Sequence, residues 1–353
     1  MAAPELVTIE AGATVAPDRA GGKAMGLIDM ATAGLPVPPG FVITADAFLA
    51  SHGDVVATVL EKVRAATAGG AEADLDAVAA AARDELGATP IEPSLAAEIG
   101  AAYERIAAAA GESEPSVAVR SSAVAEDSAE ASFAGGHDTY LWISGREAVI
   151  DAVLDCWCSL FTERAISYRL EHGIDTGWEM AVVVQRMVPA RAAGVIMTVN
   201  PITGDRASIV VESVHGLGEA LVSGLTTPDR FVVSKVTTEI LGKEIGDKLH
   251  EVVRDDDAAG GGTVTVEVDP ARVDTPSISD DEAVELAKIG RLAERHYGSP
   301  RDLEWAIADS TFVLQCRPET TWAARAAQAK PAQGALNRVV QLLGGPKAAP
   351  KEG

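Results

Sequence analysis

Basic side chains are scarce in this chain: 29 Lys and Arg stand against 52 Asp and Glu, for a formal net charge of −23. So acidic a protein is repelled by a nucleic-acid backbone or an anionic membrane surface, and neither is expected as a partner. A small polyphosphate is not excluded, because a few local cations and a metal ion reverse the sign inside a cleft. Most of the excess acid reads as solubility. Long apolar runs are missing too. Apolar residues make up 47% of the chain, but charges and glycines interrupt every run, so no transmembrane span is expected. The opening MAAPELVTIEAGA has neither a basic nor an apolar signal region, and no signal peptide is expected. Cysteine is nearly absent. Cys156, Cys158 and Cys316 form no metal pattern and no even disulfide framework, which fits reduced thiols and a cytoplasmic location. Trp142, Trp157, Trp178 and Trp322 follow no period and read as core or interface anchors, not a sugar platform. No solenoid-type repeat is present.

What is present suffices for two or three compact units over 353 residues. Gly21-Gly22-Lys23 opens a helix that ends at Gly34, followed by the rigid turn Leu35–Gly40 and a short buried strand, Phe41–Ile43. Thr44 predicts the N-cap of a helix through Ala50. Residues 54–110 are Ala-rich at helical spacing and read as a helical insert whose role is packing. Val117-Ala118-Val119-Arg120-Ser121-Ser122 runs as a strand into a polar turn. Residues 146–171 predict one amphipathic helix, and Met180–Pro189, Gly194–Val199, Ile209–Glu212 and Phe231–Val233 predict strands. Residues 250–275 read as a loop or mobile hairpin. Ser279, with Glu282 three residues on, predicts a capping box and a helix to Tyr297. Residues beyond Trp322 read as a weakly ordered tail. This mixture of hairpin-like pairs and alternating elements implies α+β domains with a cleft between them.

The richest stretch is Asp302-Leu303-Glu304-Trp305 followed by Leu314-Gln315-Cys316-Arg317-Pro318. As paired strands these place Asp302 and Glu304 on one face, with Gln315 and Arg317 beside them. Carboxylates suit Mg²⁺, and a fixed guanidinium suits a phosphate oxygen. A surface hairpin with an ion pair is the plain alternative. Lys23 at a helix start combines an ammonium with free backbone N–H groups, a weak phosphate signal that is not a Walker A sequence. Arg120 ends a strand beside two hydroxyls. Phe133-Ala134-Gly135-Gly136 allows backbone amides to approach a phosphate, and is equally an ordinary turn. Gln185, Met187 and Val188 close an apolar strand suited to an adenine pocket, with main-chain groups for the base edge, and equally to a plain core. Glu212 and Glu219 flank His215-Gly216-Leu217-Gly218 and are within reach of a ribose or a cation in such a cleft. Each is also readable as structural.

Together, GGKAMGL, GLPVPPGFVITADAF, AVRSSAVAEDSAEASFAGGHDTYL, SLFTERAISYR, VVVQRMV, GLGEALVSG, ERHYGSPRDLEWA and LQCRPET, in this order, resemble the ATP-binding domain of phosphoenolpyruvate synthase, pyruvate phosphate dikinase and rifampin phosphotransferase. The resemblance spans residues 15–322 and implies an ATP-grasp fold with two lobes and the nucleotide in the cleft between them. The implied division is 1–200 for the first lobe, with the insert at 54–110 and a Gly-rich lid at 132–140, then 201–322 for the second lobe and 323–353 for the tail. The implied catalytic residues are Lys23, Arg120 and Arg317. Asp302, Glu304 and Gln315 are the implied Mg²⁺ ligands. ATP binding is implied for Lys23, Arg120, Gly135, Gly136, Gln185, Met187, Val188, Glu212, Glu304, Gln315 and Arg317.

No histidine occurs in the sequence context of the family's phosphate-accepting histidine, and the chain ends about thirty residues past LQCRPET. The expectation is therefore an ATP-binding subunit of a split dikinase-type phosphotransferase, active only with a second subunit that carries the swivelling phosphohistidine and acceptor domains. The split resembles phenylphosphate synthase, which implies a phenol or alkylphenol acceptor. The alternatives are a phosphoenolpyruvate synthase-like or antibiotic phosphotransferase-like subunit, or a non-catalytic ATP-sensing module.

Overall fold

The computed structural model describes residues 5–67, 74–123, 139–174, 176–258 and 261–319. Two antiparallel sheets organise them. The first contains β1 (Leu6–Thr8), β2 (Gly40–Ile43), β3 (Val117–Ala123), β4 (Thr139–Ile143) and β5 (Met180–Arg186), in the order β1-β2-β5-β3-β4. The second contains β6 (Ala192–Met197), β7 (Ser208–His215), β8 (Asp229–Ser234), β9 (Ile240–Glu244), β12 (Arg301–Ile307) and β13 (Thr311–Pro318), in the order β13-β12-β6-β7-β8-β9. Between β9 and β12 the chain makes a separate hairpin of β10 (His250–Arg254) and β11 (Thr263–Glu267). The α+β reading agrees with this architecture.

Period-two alternation gives the first sheet two different faces. Phe41, Ile43, Val117, Val119, Val182 and Val184 are buried on one of them. That face is covered by α2 (Ala45–Thr67), α3 (Leu75–Gly87), α4 (Pro93–Ala110), α5 (Arg146–Cys158) and α6 (Glu163–His172). Residues 54–110 are thus helical and supply packing side chains, as expected. On the other face Val42, Ala181 and Val183 share a core with α1 (Pro17–Thr32), with Ile196, Ile209, Val211 and Trp305 of the second sheet, and with α9 (Asp280–Tyr297). Two short helices, α7 (Glu219–Val222) and α8 (Pro270–Val273), complete the fold.

Local chemistry sets several boundaries. Thr44 Oγ1 accepts from the Ala47 N–H at 3.3 Å and starts α2 as expected, but the helix runs on to Thr67 without a break at Gly53. The single helix expected over 146–171 is two. A 3₁₀ turn at Ser159–Phe161 buries Leu160 and Phe161, and Thr162 then caps a new helix by accepting from the Ala165 N–H at 3.2 Å. The Ser279–Glu282 capping box is present in both directions. The 250–275 stretch holds the β10–β11 hairpin and α8, so it is more ordered than a loop. Cys156 is buried, and Cys158 and Cys316 are half-buried. Trp142, Trp157 and Trp178 are buried, as expected of anchors. Among the described residues no helix is long and apolar enough to cross a membrane. The tail expected beyond Trp322 lies outside the described residues.

Candidate functional site

The first sheet presents Arg120 through its register. In β3, Arg120 pairs with Val183 and Ala118 with Gln185, so Arg120 and Gln185 share the face that looks toward α1. Ser122, two residues on, restarts that helix. Gly21 interrupts α1 at φ 73°, ψ 168°, a conformation that glycine adopts without penalty. A Cβ there would collide with the Ser122 carbonyl. Ser122 Oγ donates to the Ala20 carbonyl at 2.8 Å and accepts from the Ala24 N–H at 3.1 Å. The Gly21-Gly22-Lys23 segment is therefore a fresh helix start, as expected, seated on β3. Lys23 Nζ donates to the Ser121 carbonyl at 3.0 Å, which brings Lys23 and Arg120 to one place.

The second sheet presents the other half. β12 and β13 pair Asp302 with Arg317 and Glu304 with Gln315, the arrangement expected from their alternation. A bulge at Glu304/Trp305 then shifts the register, so that Leu314 and Gln315 both line one cavity while Trp305 pairs with Val313 in the core. With its amide oxygen turned to the guanidinium, Gln315 accepts from Arg317 Nη2 at 2.7 Å and Nε at 2.5 Å. The Cys316 thiol between them is pushed up to about 11 by burial, so it is no nucleophile at neutral pH.

One cavity of about 660 Å³ receives both halves, within the range of small-molecule sites. Its lining includes Lys23, Arg120, Gln185, Met187, Val188, Glu304, Gln315 and Arg317. It receives the basic Lys23, Arg120 and Arg317 against the two carboxylates Glu219 and Glu304, while Arg186, also on the lining, is ion-paired to Glu112. In a chain of net charge −23, this is a local reversal of sign of the kind that receives a polyphosphate. The rest of the lining includes the apolar side chains of Met187, Val188, Ala190, Ala193, Leu217 and Leu314.

Two expected residues stand outside the cavity lining. Glu212 pairs with Val195 on one side and Arg230 on the other; Val195, and Glu304 and Gln315 beyond it in the same row, line the cavity, and Glu212 and Arg230 do not. Burial raises the Glu212 carboxyl above the usual carboxylate range, against the pull of Arg230. Asp302 is half-buried one row along from Glu304 and is not among the lining residues. Glu219 does line the cavity and accepts from Thr263 Oγ1 at 3.3 Å. The Met187 N–H donates to the Ser116 carbonyl at 2.8 Å. Gln185 is 3% exposed and donates through Nε2 to the Pro38 carbonyl at 3.1 Å, which leaves its amide oxygen toward other partners. Gly135, Gly136 and His137 lie outside the described residues.

Sequence reasoning missed Gly194, Gly262, Thr263, Thr139 and Leu141, all of which line the cavity. Gly194 alone carried a readable signal, as a glycine within a strand pattern. A Cβ there would strike the Glu212 carbonyl and sit 2.9 Å from the Trp305 ring.

A donor set for Mg²⁺ can be tested on these residues. Among the described residues no group of three or more His, Cys, Asp or Glu side chains gathers as a metal site. Mg²⁺ takes one or two carboxylates and fills its shell with water and phosphate oxygens. Glu304, with the Gln315 amide paired to it and Asp302 on the same face, fits that demand.

Residues 17–337 match the family described as pyruvate phosphate dikinase, AMP/ATP-binding domain. The chain is 45% identical over 309 residues to the probable phosphoenolpyruvate synthase of Methanocaldococcus jannaschii, covering 86% of this chain and 26% of that protein. It is 39% identical to the phosphoenolpyruvate synthase of Aeropyrum pernix, covering 88% of this chain and 42% of that one. It is 42% identical to the rifampicin phosphotransferase of a Streptomyces species, covering 82% and 32%. The chain therefore spans less than half the length of these relatives. The chain belongs to the pyruvate phosphate dikinase AMP/ATP-binding domain family, the ATP-binding part of phosphoenolpyruvate synthase-type phosphotransferases.

Proposed function

We propose that this chain binds Mg·ATP in the 660 Å³ cavity and passes the distal pyrophosphoryl group to a histidine carried elsewhere, as the nucleotide half of a dikinase-type phosphotransferase. We take the two sheets as the two lobes of an ATP-grasp fold; because β6 (Ala192–Met197) pairs within the second sheet, the boundary falls before β6 and not at residue 200 as expected. The single observation that carries the reading is the convergence of Lys23, Arg120 and Arg317 with Glu304 on one cavity that apolar side chains also line.

The triphosphate takes the cationic end. Lys23 and Arg120, from the first sheet's side, approach it from one direction, and Arg317 meets the terminal phosphate from the second sheet. Phosphoryl transfer asks of a protein mainly positioning and charge neutralisation, and fixed guanidinium groups supply both. Arg317 is itself oriented by the Gln315 amide oxygen. Glu304, with Asp302 and Gln315, would hold Mg²⁺, which supplies further neutralisation of the phosphate charge when bound. Met187, Val188 and Leu217 provide the apolar walls for the base, and Glu219 accepts from ribose hydroxyls.

Transfer of the pyrophosphoryl group to an imidazole nitrogen breaks the bond to the α-phosphate and leaves AMP. Hydrolysis of the distal phosphate then gives Pi and a phosphohistidine that phosphorylates an acceptor. The phosphate-accepting histidine is assigned to a second subunit, which the sequence contexts of this chain's own histidines suggested. The acceptor expected from the likeness to phenylphosphate synthase is a phenol. The names of the relatives speak instead for pyruvate or an antibiotic hydroxyl, and the acceptor class common to all three is an oxygen nucleophile. A non-catalytic ATP-sensing role is disfavoured because a pure binder has no need of Arg317 at the terminal phosphate.

The test is product identity. Single-turnover mixing of this chain, Mg·ATP and the His-bearing polypeptide should give AMP and Pi in equal amounts, with acid-labile label on the partner. ADP as the product would overturn the dikinase reading, and full acceptor phosphorylation by this chain alone would remove the partner.

A further inference from the structure

Far from the phosphate end, the second sheet buries a complete ion pair. Lys248 and Asp229 are both 0% exposed, and Lys248 Nζ donates to Asp229 Oδ1 at 2.5 Å and to the Gly246 carbonyl at 2.9 Å. Asp229 Oδ1 also accepts from the Gly246 N–H at 3.1 Å. Asp229 Oδ2 accepts from the Ser277 N–H at 2.6 Å and lies 2.8 Å from Ser277 Oγ, which is itself 2.7 Å from Ser213 Oγ. The knot joins β7, β8, the β9–β10 connection and the approach to α9. Neither charge lines the cavity.

A buried pair is a weak source of stability, since apolar residues of similar volume often serve as well. What it fixes is geometry, and Lys248 stands two residues before β10. The Val252 carbonyl of β10 accepts from the Leu217 N–H at 2.9 Å, and Val252 pairs in parallel with Gly216. Leu217, Gly218 and Glu219 then line the cavity, as do Gly262 and Thr263 at the start of β11. Thr263 donates to Glu219, and Gly261 packs so tightly on the Leu141 and Trp142 carbonyls of β4 that a Cβ would not fit. One hairpin thus supplies Gly262 and Thr263 to the lining and braces Leu217 through the Val252 carbonyl, and the ion pair pins the base of that hairpin.

We infer that Lys248 and Asp229 are positioning residues for the base and sugar end of the nucleotide site, acting through the β10–β11 hairpin and not through the phosphates. This rests on the nucleotide reading above.

The test compares two ligands by calorimetry, Mg·ATP and Mg·tripolyphosphate, which reaches the cationic end only. Lys248→Met combined with Asp229→Asn removes both charges, so no lone buried charge remains. The double variant should melt within a few degrees of wild type, bind Mg·ATP about tenfold more weakly, and bind tripolyphosphate as wild type does. Ser277→Ala keeps the ion pair but removes one hydroxyl from Asp229; it should show the same split at smaller size, and it decides the matter if the double variant does not fold. Wild-type ATP affinity in these variants, or an equal loss for both ligands, would overturn the positioning role. Wild-type protein that binds neither ligand would sink the nucleotide reading, and this proposal with it.

Discussion

The two ends of the cavity are built on different principles. The proposed phosphate end uses few residues of fixed chemical type, Lys23, Arg120, Glu304, Gln315 and Arg317; Lys23 is held by the Ser121 carbonyl and Arg317 by the Gln315 amide. The base end uses Met187, Val188, Ala193, Leu217 and Leu314, side chains that any apolar neighbour resembles, gathered from several elements. Charge recognition demands particular groups at particular places, whereas apolar enclosure demands only shape. The two ends should therefore fail differently under mutation.

The largest contrast is expected at Glu304→Gln. The fold survives, since Glu304 is half-buried on the cavity face, but Mg²⁺-dependent ATP binding should fall by about two orders of magnitude, on the scale of a charge-assisted contact. Titration with and without Mg²⁺ checks this, and equal affinities of variant and wild type would take Glu304 out of the site. Next comes Arg317→Ala. ATP affinity should drop about tenfold or more while AMP affinity holds, because AMP lacks the distal phosphates. A matching loss for AMP would erase the distinction between the two ends.

Leu217→Ala probes the opposite end. Leu217 is 8% exposed and packs with Trp142, Ala220 and Val252, so truncation should cost about 2 kcal/mol of stability and weaken ATP and AMP by the same few-fold factor. Loss confined to ATP would contradict a base-end location.

The smallest effect concerns pH. Burial holds His52 and His215 below the usual histidine value. The unfolded chain therefore takes up these protons first as pH falls below about 6.5, and the stability linked to neutral histidine is lost as pH drops from there through the depressed folded values. Melting temperature should fall between pH 7.5 and 5, and His52→Gln should flatten that slope relative to wild type. A slope unchanged by the substitution would assign the acid sensitivity to other groups.

The same divide governs what was legible beforehand. The D-x-E-W and Q-x-R-P strands could be paired on paper, because side chains alternate with a period of two. The register obeyed that pairing until the bulge after Glu304, which has no signature in the sequence and brings Leu314 onto the cavity face. Lys23 was visible through its glycines, though the role of Ser122 in restarting the helix was not. Glu212 looked equivalent to Glu219, yet it sits on β7, one strand beyond Val195, and is not part of the cavity lining. The break between α5 and α6 escaped the helical periodicity because Leu160 and Phe161 are buried on either reading. Thr263 and Gly262 were unreadable, since only the docking of their hairpin against β4 and Leu217 brings them to the site.

Residue type and order alone determined which groups can meet a phosphate or a metal ion, because that chemistry is a property of the side chain. Only the tertiary structure decided which of them share a cavity and what encloses the other end. Proximity across two sheets depends on register, bulges and a buried ion pair, and these are settled by packing between segments distant in the chain.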